Sequence, residues 1–163
     1  MRHGCQGCQI VTGDLRKWLR LVEAAGSFTP EQAREIGSCA IIAMAHITGL
    51  SWDQVWEQAK PYYTRFGMDA GAIGATMREL GWKYGDKSNW KLLGMPVGLA
   101  SAKAMTVQQA QVYLQEHEPD ARLICLIHAR GVPHSIAFAD GQFHNVEGAW
   151  RARIRLAYYC TQD

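Results

Sequence analysis

The chain has 163 residues, enough for one domain of ordinary size and short for two. Hydrophobic residues make up 48% and charged residues 20%, so a packed core is expected and wholesale disorder is excluded. The formal net charge is +2 and no Lys/Arg cluster is denser than a solvated surface, which argues against nucleic acid as the partner. No apolar run approaches the roughly 20 residues that a membrane span needs. The start, Met1-Arg2-His3-Gly4-Cys5, lacks the apolar stretch of a secretory signal. Five cysteines are an odd number, which suits a reducing compartment better than a disulfide framework, so a cytoplasmic protein is expected.

Residues 1–13 read as a loose lead-in, and 14–163 as a single domain. Asp14 is placed to cap a helix with Leu15, Trp18, Leu19 and Val22 on one stripe and Gly26 as its stop. Thr29-Pro30-Glu31 opens a short helix that ends near Gly37. Ser38 then starts a segment that is apolar nearly all round and is closed by Gly49, the signature of a helix in the middle of a domain. Ser51 and Gln54 have capping-box spacing for a helix reaching about Lys60, where Pro61 discourages continuation. A further helix is predicted over 69–80. Residues 82–105 read as irregular, with one strand at their start, and Thr106 opens a last helix that ends before Pro119. The period then becomes strand-like. Strands are predicted over 123–129, 133–139, 142–147 and 152–159, with Asp140-Gly141 as a two-residue hairpin turn. Helices first and an antiparallel sheet last give an α+β domain, with the Ser38–Gly49 helix packed on the sheet.

Cys39 falls in the first turn of that central helix. Unpaired N–H groups and the positive end of the helix dipole favour a thiolate there; the bland alternative is a small buried hydrophobe. His134 opens a strand whose even positions, His134, Ile136 and Phe138, form one face. If Ala139 faces Gln142 across the turn, Ile136 faces Asn145 and His134 faces Glu147. Asn145 is then a diagonal neighbour of the imidazole, placed to accept from one ring nitrogen and leave the other for a thiolate.

Cys39 on an apolar helix, His134 on a distant strand and Asn145 on the next strand follow the order of papain-like cysteine peptidases. The chain resembles most the compact bacteriocin-processing peptidase domains and related small bacterial or phage proteins. The shared features are the helix ending Ile47-Thr48-Gly49 and the His-strand-Asp-Gly hairpin, over residues 30–160. The resemblance implies a papain-like fold and a thiol-dependent peptidase or related acyl-transfer hydrolase. Cys39 is then the nucleophile, His134 the general base and acid, and Asn145 the orienter of the ring. A peptide or protein substrate is implied, and no cofactor or metal. Relatives carry an oxyanion-hole glutamine about six residues before the cysteine. Ala33 occupies that position here, and Gln32 is the nearest candidate. Bacteriocin-processing relatives use aspartate as third member, which makes Asp140, otherwise a turn former, and Glu147 the alternatives to Asn145.

Two other classes compete. The same fold without catalysis is a peptide-binding module, favoured by the missing glutamine. Alternatively His3, Cys5 and Cys8 supply part of a metal site, although a lone C-x-x-C is at most half of one. His46 lies about 10 Å along the helix from Cys39 at 1.5 Å per residue, too far to be its base, and reads as a core histidine. Cys125 and Cys160 read as core, His128 and His144 fall outside the pattern, and Trp150 is close enough to the Asn145 strand to shield a site.

Overall fold

A computed structural model describes residues 28–64, 67–88, 91–94 and 103–162. The lead-in over 1–13, with His3, Cys5 and Cys8, and the helix expected between Asp14 and Gly26 lie outside them. The described residues form an α+β unit of five helices and five strands. In chain order these are α1 (Pro30–Ile36), α2 (Cys39–Thr48), α3 (Trp52–Ala59), α4 (Ala70–Glu79), β1 (Lys83–Ser88), α5 (Val107–His117), β2 (Leu123–Ala129), β3 (Val132–Ala139), β4 (Gln142–His144) and β5 (Ile154–Thr161); a 3₁₀ turn, Lys60–Tyr62, follows α3.

Three helices begin with the same reciprocal device. Thr29 with Gln32, Ser51 with Gln54 and Thr106 with Gln109 each form a capping box that satisfies two otherwise orphaned amides. Asp69 caps α4 by accepting from the Ala72 amide. Helix α2 ends at Gly49, whose φ of 76° is the left-handed stop that glycine adopts without strain.

The sheet is antiparallel throughout, in the order β1-β5-β2-β3-β4. It is covered on both faces. Ile36 of α1, Ile41 and Met44 of α2, Val55 of α3 and Ile73 and Met77 of α4 join Ile124, Ala137 and Ala139 in one core. Val107, Ala110 and Leu114 of α5 join Cys125, Ile127, Ile136, Phe138 and Ile154 in the other. Strand alternation explains the division: along β3 the odd positions face the four-helix layer and the even positions face α5.

Asp140 and Gly141, at φ 53° and 78°, make the β3–β4 hairpin turn, and Ala139 faces Gln142. Arg130-Gly131 makes a second two-residue turn between β2 and β3, with the same pair of positive φ angles. Strand β4 is shorter than the 142–147 expected. Pairing runs from Ala139↔Gln142 to Ala137↔His144 and ends there, because Asn145 and Glu147 take φ of 65° and 50° and turn the chain out of the ladder. The expected facing of Ile136 with Asn145 and His134 with Glu147 is replaced by this turn. The last strand lies two residues later than expected, at Ile154–Thr161.

Candidate active site

Helix α2 presents Cys39 as its first residue. Ser38, at the N-cap, makes no side-chain capping bond. The amides of Cys39 and Ala40, at this helix N-terminus, favour the thiolate form of Cys39. Tyr63 fixes the chain just before this turn: its buried hydroxyl reaches the carbonyl oxygens of Gly37 at 2.8 Å and Ala33 at 3.0 Å. Cys39 is half-buried and borders an open cleft. Burial pushes the thiol above its ordinary value of 9.0, and hydrogen bonds from Ser135 and the two helix amides only partly offset this.

His134 is 2% exposed. Its Nε2 lies 2.6 Å from the backbone carbonyl oxygen of Asn145. A carbonyl only accepts, so Nε2 carries the proton and Nδ1 holds the lone pair. Burial lowers the basicity of the ring below 6.5, and the Asn145 carbonyl opposes that shift. The Asn145 amide does other work: Nδ2 donates to the Ser135 carbonyl at 3.3 Å, tying the left-handed turn to β3. Asn145 therefore meets the imidazole, but through its main chain and not through its side chain.

Cys39, His134 and Ser135 all line one open cleft of about 1010 Å³. Its floor includes Leu126 and Leu156, and Met68, Asp69, His128 and Arg155 border it as well. Ser135 favours the thiolate form of Cys39 and the Asn145 carbonyl holds the imidazole, and both groups border the same cleft. Alternation accounts for the arrangement. Ser135, an odd position of β3, faces α2, whereas His134 is rooted on the face of Ile136 and Phe138.

The other candidates stand elsewhere. Gln32 accepts from the Thr29 amide in the α1 capping box and is not among the residues lining the cleft. Asp140 is exposed in the hairpin turn, six residues or about 20 Å along the strand from His134 at roughly 3.3 Å per residue. Glu147 is exposed in the turn after Asn145. Cys125 and Cys160 are core residues, as expected; burial raises both thiols, Cys160 to about 12.

His46 departs from expectation. It is exposed and stacks on His144 with ring centroids 4.4 Å apart, because its position late in α2 lies over the β3–β4 hairpin, outside the core. Trp150 packs against the α5-side core and does not border the cleft. Ser135, Tyr63, His128 and Arg155 were not singled out from sequence as site residues. Among the described residues no group of three or more His, Cys, Asp or Glu side chains is arranged to hold a metal ion, and no helix is long and apolar enough to cross a membrane. Compared with known proteins, the chain matches no family model, no curated protein and no solved structure.

Proposed function

We propose that the protein is a papain-like thiol hydrolase that cleaves or transfers an acyl group of a peptide or protein through a thioester at Cys39. The observation that carries this reading is the shared cleft: a thiol on a helix N-terminus and a buried imidazole of fixed tautomer border one open cavity. Burial shifts both groups toward their neutral forms, so the starting pair is thiol and neutral imidazole. As Sγ attacks the substrate carbonyl carbon, the thiol proton passes to Nδ1 of His134. The oxyanion faces the amides of Cys39 and Ala40. The ring then returns the proton to the departing amine, leaving the thioester. Water attacks the thioester with His134 again as base, releasing a carboxylic acid and restoring the thiol. His134 and Cys39 both border the cleft, and this chemistry needs the ring within hydrogen-bond reach of the sulfur when substrate fills it.

A second reading, a peptide-binding module without catalysis, is favoured by the Ser135–thiol contact and by the engagement of Gln32 in its cap. One experiment separates the two. Wild-type protein is exposed to an activated peptide ester and digested for mass spectrometry. Hydrolase function predicts acyl attachment at Cys39, its loss in Cys39→Ala, and acylation slowed roughly a hundredfold or more in His134→Asn. Acyl transfer that survives Cys39→Ala removes the nucleophile from the proposal. Peptide binding without a thioester establishes the module instead.

A further inference from the structure

Among the described residues lining the cleft, Arg155 of β5 is the one permanently cationic side chain. Its presence there follows from an irregularity in the sheet. Leu126 of β2 faces Leu156, yet Ile127, the next residue, faces Ile154. Strand β5 therefore carries one extra residue at this point, and that residue is Arg155. Ile154 points into the α5-side core while Leu156 opens on the cleft, an offset that plain alternation forbids. A β-bulge of this kind bends its strand and re-aims side chains, and such bulges are common beside active sites.

Arg155 is exposed and holds no ion pair among the described residues. The carboxylate of the same cleft, Asp69, is engaged at 2.8 Å as the cap of α4. A guanidinium presents a planar fork that matches a carboxylate, and Leu126 and Leu156 supply an apolar floor between it and Ser135. We propose that Arg155 anchors the carboxylate of an acidic peptide whose acyl carbon is delivered to Cys39. This inference rests on the thiol-hydrolase reading and names its substrate class. Ser135, Leu126 and Leu156 lie on three adjacent strands in register, so Arg155 stands about two strand spacings, roughly 10 Å, from the thiol's neighbour. An extended peptide covers that distance in about three residues, which sets the acidic side chain about three residues from the attacked carbonyl.

The test uses two bromoacetyl tripeptide amides, Gly-Gly-Glu and Gly-Gly-Gln, with iodoacetamide as neutral control. Sγ displaces bromide to leave a thioether, and peptide mapping gives the second-order rate at Cys39. In the wild type the Glu reagent reacts roughly three- to tenfold faster than the Gln reagent, the range for a partly exposed charge pair. The two rates become equal in Arg155→Ala and their order reverses in Arg155→Glu, while the iodoacetamide rate stays constant and reports an intact cleft. Equal rates in the wild type, or a Glu preference that survives Arg155→Ala, overturn the anchor and leave the hydrolase reading standing. A Cys39 that resists every reagent in the folded protein overturns the hydrolase reading and the anchor with it.

Discussion

Replacing Asn145 distinguishes main-chain support of the imidazole from side-chain support. Asn145 combines three features: a φ of 65°, an amide that donates to Ser135, and a carbonyl that receives His134. Asn145→Gly keeps the left-handed conformation without strain and keeps the carbonyl, removing only the amide. The lost hydrogen bond costs about 1 kcal/mol, and glycine's added freedom in the unfolded chain is roughly balanced by relief of the asparagine's own left-handed cost. Asn145→Ala loses the same bond and places a Cβ at positive φ, so its destabilisation is about 2 kcal/mol. Urea unfolding measures both. In Asn145→Gly the proton of His134 stays on Nε2, which nitrogen-detected NMR of the imidazole reports, and acylation of Cys39 stays within about threefold of wild type. A glycine variant that is folded but has lost the Nε2 proton, or acylates a hundredfold more slowly, would refute main-chain support and return the amide to the role that the papain-like resemblance implies.

Other outcomes follow from burial. Because His134 is less basic folded than unfolded, the unfolded chain takes up a proton first as pH falls below 6.5, so stability is full above that pH and declines beneath it. His46, stacked on His144, is shifted the same way, so His134→Asn should flatten the acid limb of a urea-midpoint profile without abolishing it; an unchanged limb would remove His134 as a contributor. Cys39 is shifted oppositely. In the absence of substrate its iodoacetamide labelling should be slow at pH 7 and still rising beyond pH 9, and a plateau near pH 6 would reveal a resting thiolate. Gly74→Ala in α4 should destabilise by about 1–2 kcal/mol despite better helix propensity, since the new Cβ would meet the buried Tyr84 ring at 2.9 Å; a raised urea midpoint would contradict this.

Local signals in the sequence were the most legible ones. Thr29, Ser51 and Thr106 each sit three residues before a glutamine, and all three form the reciprocal cap that this spacing encodes. The Asp140-Gly141 turn follows equally from local chemistry, because that pair takes positive φ readily and so favours a two-residue hairpin. The length of β4 was only half legible: asparagine tolerates the left-handed region that Asn145 adopts, but nothing announces a glutamate there at 147. The face of β3 that meets α2 was hidden as well. Ala137 and Ala139 are as deeply buried as Ile136 and Phe138, so a sheet covered on both sides gives no polar face from which to read orientation. The bulge at Arg155 depends on pairing between strands separated by some thirty residues of chain, which periodicity within one strand cannot report.

The sheet is a partition with a separate packed layer on each side: Cys39 is carried by α2 in one layer, and His134 stands on the β3 face whose Ile136 and Phe138 pack into the other. Their mutual offset is thus the difference between two independently packed interiors. Trimming a methyl group beneath α5 shifts the packing behind the β3 face that carries His134 and leaves the α2 packing behind Cys39 in place, so the reactivity of this centre is adjustable from the layer opposite its nucleophile.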